Sequence, residues 1–155
     1  MNTTIVELFR QVEISIAADR GSLALFALLL RPEAAGVAST SATAPYITER
    51  WDVLVSASWL EEGSKESIDY IVKKIRKKVS AEQLREISRV AVVSHTSDIV
   101  MAFNRAVDIE HGAMQFTGST LFGFYVEQAY VITSKNATRL PTSQTLGTRN
   151  TGAKV

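Results

Sequence analysis

Cysteine is missing from the 155 residues, which excludes a disulfide framework and thiolate metal sites. Long hydrophobic runs are missing as well: the longest, Leu23 to Leu30, is far too short to span a bilayer. The N-terminal MNTTIVELFRQVE lacks the basic, then apolar, then small-residue order of a signal peptide, and Glu7 and Glu13 interrupt it. The expectation is a soluble cytoplasmic protein, prokaryotic in style, with no membrane partner. Nucleotide and zinc fingerprints are absent too. The chain has no Gly-x-x-x-x-Gly-Lys-Ser/Thr, no Gly-x-Gly-x-x-Gly and no HExxH. It also lacks the Gly-x-Ser-x-Gly nucleophile elbow and any internal repeat. No cofactor and no metal are expected.

What the chain does have is apolar content of 46%, enough for one domain with a core that needs no staple. Its charge is unevenly placed. Residues 135–155 carry Lys135, Arg139, Arg149 and Lys154 and no acid, leaving 13 basic and 16 acidic groups in residues 1–134. A slightly acidic body with a basic tail is unlike a dedicated nucleic-acid-binding domain, whose folded part is itself basic. Residues 1–134 are read as a single globular domain. Residues 135–155 are polar and poor in large apolar groups, and are read as a flexible tail.

The most informative stretch is Arg89 to Val107. Val90 to Val93 form a β-branched run suited to a strand covered on both faces. The polar turn Ser94 to Ser97 follows, then a helix with Ile99, Val100, Phe103, Ala106 and Val107 on one face. This is half of a βαβ unit. Upstream, Thr4-Ile-Val-Glu7 has the form of a capping box and predicts a helix from Thr4, with Ile5, Leu8, Phe9, Val12 and Ile16 as its stripe and Gly21 as its stop.

Leu23 to Leu30 suits either a helix by propensity or a buried strand by length. Strand is preferred, because Trp51 to Trp59 reads as a second strand in need of a neighbour. Glu33 to Arg50 between them is a long loop of small residues. Ser64 caps a further helix with Ile68, Ile71, Val72, Ile75 and Val79 buried, and Ser80 to Gln83 is a second capping box that restarts a short helix through Ile87. Near the end, Ala113 to Phe116 and Leu121 to Thr133 read as strands joined by a turn at Thr117 to Thr120. The expected fold is therefore a small mixed-sheet α/β domain of four or five strands with about four helices packed on it, in the order α-β-β-α-α-β-α-β-β. Both terminal strand pairs are expected as antiparallel hairpins around a parallel pair in the middle.

Three sets of residues are candidates for function. Ligands collect beyond the carboxyl ends of parallel strands. If the Trp51 and Arg89 strands are parallel neighbours, Ser56, Ser58, Ser94, His95, Thr96 and Asp98 meet there, beside a helix N-terminus suited to an anion. A Ser94–His95–Asp98 triad is rejected, since three groups within one turn rarely align as a triad requires. A metal pair of His95 with His111 is rejected as well. The helix between them spans about 15 Å at 1.5 Å per residue, so His111 should emerge near the opposite edge of the sheet. Glu110-His111-Gly112 is read as the polar entry to a strand.

The second set is Lys73, Lys74, Arg76, Lys77 and Lys78 at the end of the Ser64 helix. The macrodipole already explains cations there, with nucleic acid as the functional alternative. The third is Phe122, Phe124, Val126, Tyr130 and Ile132, read as one alternating apolar face of a long strand that either is central or is covered by another chain.

From these features the leading expectation is a non-enzymatic interaction protein, an accessory subunit or oligomeric scaffold whose partner is itself or another protein. The alternative is a small-molecule or nucleotide-binding module using the turns at 56–59 and 94–98. Weak nucleic-acid contact ranks third.

Overall fold

The apolar spacing of the first segment produces helix α1 (Thr3–Arg20), with Ile5, Val6, Phe9, Val12 and Ile16 buried. These contacts come from a computed structural model that describes residues 1, 3–30, 50–121 and 124–135. The helix begins one residue before the expected start, so Glu7 does not close a capping box. Its carboxylate instead accepts from Arg10 Nη1 at 2.9 Å, one turn ahead. At the other end Gly21 N–H donates to Ala17 O, closing the helix where the glycine predicts.

Next come β1 (Leu25–Leu30), β2 (Trp51–Ser56) and α2 (Lys65–Arg76). The chain continues through a 3₁₀ turn (Gln83–Glu86), β3 (Ile87–Val92), α3 (Asp98–Ala106), β4 (Met114–Leu121) and β5 (Phe124–Ser134). Leu23 to Leu30 resolves as strand, as length between breakers favoured over propensity. The Ser80–Gln83 box forms in full: Gln83 N–H donates to Ser80 Oγ at 3.1 Å and Ser80 N–H to Gln83 Oε1 at 2.9 Å. What it starts is a single 3₁₀ turn, so the described residues hold three α-helices rather than four. Ser64 caps α2 by accepting from Ser67 N–H.

The sheet order is β3-β2-β1-β5-β4. β2 and β3 are parallel, and every other neighbouring pair is antiparallel. The Arg89 strand is thus at an edge, not at the centre. Its apolar run does face helices on both sides, since Val90 packs with the α1/α2 cluster and Ala91 with the α3 cluster. Coverage of two faces therefore says nothing about position in the sheet.

Helices α1 and α2 cover one face over Phe26, Leu28, Trp51, Val53, Val55 and Ile132. The nine-residue α3 covers the other with Val100, Ala102 and Phe103, against Ala24, Leu25, Ala27, Leu54, Ala129 and Val131. Because α3 connects one edge strand to the other, it crosses the sheet at the end where β2 finishes and β1 begins. There Asn104 Nδ2 donates to both Ala24 O and Ser134 Oγ.

The predicted turn at Thr117 to Thr120 lies inside β4, which continues to Leu121, paired with Phe124. The β-branched threonines favour strand, and Gly118 supplies a left-handed φ of 59° within it. In β5 the alternation also breaks. Val126 joins the α3 cluster with Ala129 and Val131, whereas Tyr130 and Ile132 pack on the α1/α2 side. A bulge near the end of β5 sets Phe26 opposite Thr133 and Ala27 opposite Val131, leaving Ile132 as the extra residue. Among the described residues no helix is long and apolar enough to cross a membrane.

Candidate functional site

The parallel register carries β2 and β3 to a common end, where Val93 N–H donates to Val55 O. The register continues with Ser56 beside Val93, so the turns that start at Ser56 and Ser94 reach the same end of the sheet, as the topology argument expected. Ser56 is fully buried, and alternation places it with Leu54 on the α3 face. Ser94 Oγ lies 2.8 Å from Thr96 Oγ1 and accepts from Thr96 N–H at 3.1 Å, so these two hydroxyls satisfy each other and shape the turn. Ser97, with extended backbone, is the N-cap of α3, yet its hydroxyl makes no capping bond. Among the described residues the buried Oγ atoms of Ser56 and Ser97 both lack a hydrogen-bond partner. Ser58 and Asp98 are exposed and His95 is half-buried.

A second constellation was not foreseen. Glu13 is completely buried on α1, and its Oε1 lies 2.6 Å from His111 Nδ1, 98 residues away in sequence. Its Oε2 is buried without a partner. His111 adopts a left-handed φ of 57°, uncommon for a residue with a side chain. Three further bonds hold that conformation. His111 N–H donates to Thr133 Oγ1 at 3.0 Å, Arg10 Nε donates to His111 O at 2.7 Å, and Gly112 N–H donates to Ile132 O at 2.9 Å. Thr133 and Ile132 are the residues at the β5 bulge, and bulges commonly re-aim groups beside functional sites. A Cβ at Gly112 would stand 2.5 Å from Ile109 Cδ1, so a side chain there would force the Ile109 side chain to move. The other ring nitrogen, Nε2, lies 3.7 Å from Glu110 Oε2, and Lys135 Nζ is bound to Glu110 at 3.1 Å.

Glu13 had a signal in the sequence. It sits four residues after Phe9 and three before Ile16, so it belongs to the apolar stripe that buries them. An acid in that stripe needs a partner. His111 lies across the sheet from the Ser94 turn, as helix length predicted, but at the same end of the strands and on the opposite face.

The basic set on α2 divides. Lys74 is committed to α1 through Ser15 Oγ at 3.4 Å and Asp19 Oδ2 at 3.5 Å, whereas Lys73, Arg76, Lys77 and Lys78 are exposed. Nearby, Tyr70 donates to Asp19 at 2.6 Å and the Arg20 guanidinium stands 4.6 Å from the Tyr70 ring centroid. Of the third set, Val126 and Ile132 are buried in this chain's own clusters, and the Tyr130 ring lies 5.5 Å from that of buried Trp51, tilted by 46°. β5 is an interior strand between β1 and β4. Phe122 lies outside the described residues, as do the 33–49 segment of the long loop and residues 136–155 of the tail.

No group of three or more potential metal ligands occurs among the described residues. Comparison with protein-family models, curated proteins and solved structures finds no match to this chain.

Proposed function

We propose that the protein is a small-molecule-binding α/β domain. Its ligand, rich in hydrogen-bond acceptors such as a phosphorylated metabolite or nucleotide, sits at the carboxyl ends of β2 and β3. The observation that carries this reading is that two hydroxyls are buried without a partner, Ser56 Oγ at the end of β2 and Ser97 Oγ at the N-cap of α3. A buried hydroxyl without a partner costs about 1–3 kcal/mol, which a ligand acceptor group offsets on binding. The helix N-terminus adds donors and a positive dipole end. Parallel strand ends are where such crevices form in open sheets. Ser94 and Thr96 act here as the rigid frame of the turn, not as ligand donors, since each engages the other.

Asp98 already places a carboxylate in the first turn of α3. It competes with a bound anion for the same positive end, so Asp98→Asn should tighten binding. The test is a thermal-shift screen with nucleotides and phosphorylated metabolites. A ligand at 100 times its dissociation constant adds about 2.7 kcal/mol of stability. The shift should vanish in Ser56→Ala and Ser97→Ala and grow in Asp98→Asn. No shift across the panel, or one indifferent to both serines, refutes the site.

A further inference from the structure

We propose that His111 is the proton-accepting group of a reactive site, with Glu13 as the residue that positions it, and that its substrate is an uncharged ester or related carbonyl compound. The site lies on the α1 face, three strand spacings or about 14 Å from Ser56. It therefore stands independently of the ligand-binding reading.

The argument begins with the two nitrogens of the ring. With Glu13 as a carboxylate, which only accepts, the 2.6 Å contact requires the ring hydrogen on Nδ1. In the neutral ring Nε2 is then the bare nitrogen, 3.7 Å from Glu110 Oε2 on a side chain that is 38% exposed. One nitrogen is held by a buried carboxylate and the other is not, the division of labour that a general base needs. Orientation is fixed independently of the side chain, since Thr133 and Arg10 hold the backbone on either side of the ring in its left-handed conformation. Strained backbone held by several surrounding bonds is a feature that concentrates at functional sites.

The surroundings select the substrate. Arg10 is occupied by Glu7 and the His111 carbonyl, and Lys135 by Glu110. Glu110 brings a carboxylate to 3.7 Å from Nε2. An anionic substrate would meet that carboxylate with no uncommitted cation among these groups, whereas a neutral carbonyl compound would not be repelled. In the step we infer, Nε2 takes a proton from water as its oxygen adds to the carbonyl carbon. Glu13 steadies the imidazolium that results. As the tetrahedral species collapses, the carbon–oxygen bond to the alcohol breaks and the alcohol leaves with the proton from Nε2. Water and ester are consumed, and acid and alcohol are formed.

The probe is p-nitrophenyl acetate, with diethyl pyrocarbonate labelling read by mass spectrometry as a second measure. The chain has two histidines, so His95 serves as an internal reference for labelling. His111→Asn keeps a side chain that tolerates the left-handed backbone, and should remove ester turnover while circular dichroism stays unchanged. Glu13→Gln should lower turnover about 100-fold, within the usual contribution of proton transfer. Nitrogen-15 NMR of the wild-type protein should show His111 with hydrogen on Nδ1 and bare Nε2, a readout that needs no variant to fold. Turnover equal in wild type and His111→Asn, His111 labelled no faster than His95, or a ring with hydrogen on Nε2 would each overturn the proposal.

Discussion

Replacing the two partners of the Glu13–His111 bond should change stability in opposite directions. Glu13 is fully buried, with one oxygen bonded and the other without a partner. Its neighbours on the stripe are Phe9, Val12 and Ile16, so Glu13→Leu extends an existing apolar surface. Replacing a buried ionic group by a well-packed apolar one of similar volume is often neutral or stabilising by about 1–4 kcal/mol. Losing the bond to His111 subtracts from that gain. Because the imidazole is 38% exposed, its freed nitrogen finds water and the loss is modest, about 1 kcal/mol. The net expectation is a variant about 0–3 kcal/mol more stable than wild type.

His111→Asn does the reverse. It leaves a buried carboxylate with no ring to pair with, at a cost of about 2–4 kcal/mol after allowance for partial exposure. Asparagine is chosen because alanine would add a left-handed-backbone penalty of its own. Urea denaturation followed by circular dichroism measures both, with the midpoint shifting and the slope unchanged. If Glu13→Leu is destabilised as much as His111→Asn, the pair is a net structural tie, and the expected opposition of the two variants is refuted.

The cluster of Asp19, Tyr70, Arg20 and Lys74 sets a pH window for stability. The Tyr70 hydroxyl bonded to Asp19 and the nearby Lys74 hold the Asp19 carboxyl below its ordinary 3.8, against a smaller opposing effect of burial. That contribution is present above pH 3.8 and is lost as pH falls through the lowered value. Burial, and then the bond to Asp19, push the Tyr70 hydroxyl well above its ordinary 10.0, so its contribution is full below pH 10 and is lost as pH rises through the raised value. Tyr70→Phe should flatten both limbs of a stability-against-pH curve, and unchanged limbs would exclude the cluster as their source. Phe103, 1% exposed, anchors α3 on the sheet, so Phe103→Ala should cost about 3–5 kcal/mol in urea unfolding, and a loss below 1 kcal/mol would mean that α3 is not packed as described.

Much of the fold was legible because periodicity and breakers act locally. The stripes of α1, α2 and α3, the Ser64 cap and the Ser80–Gln83 box all follow from residues within a turn or two of one another. The choice of strand for Leu23 to Leu30 drew on a longer-range fact, the presence of a second strand to pair with. The Ser56 and Ser94 turns were found together because topology, once guessed, fixes which strand ends meet. The Glu13–His111 pair was out of reach for the opposite reason. It joins a helix to a strand end 98 residues away, and no spacing rule links the two. Only the misplaced acid in the α1 stripe pointed to it. The edge position of β3 was equally hidden, since burial on two faces constrains layers and not sheet order.

The misplaced hairpin turn has its own lesson, and it yields a prediction. Thr-Gly-Ser-Thr reads as a turn because glycine supplies positive φ, but irregular strands draw on glycine for the same reason. Gly118 has φ 59°, and a Cβ built there would lie 3.7 Å from Tyr125 Oη, an ordinary contact. Space is therefore not the constraint; backbone conformation is. Gly118→Asn should cost only a few tenths of a kcal/mol and Gly118→Ala about 1 kcal/mol, because asparagine visits the left-handed region more readily. Gly118→Val should cost more than either, despite valine's preference for strands, since branching at Cβ crowds that conformation further. Urea midpoints falling in the order Gly, Asn, Ala, Val would confirm that conformation decides. A Val variant at least as stable as wild type would mean that β4 is regular at this position and that the sequence pattern alone, with no left-handed residue, has to explain the break in alternation opposite it.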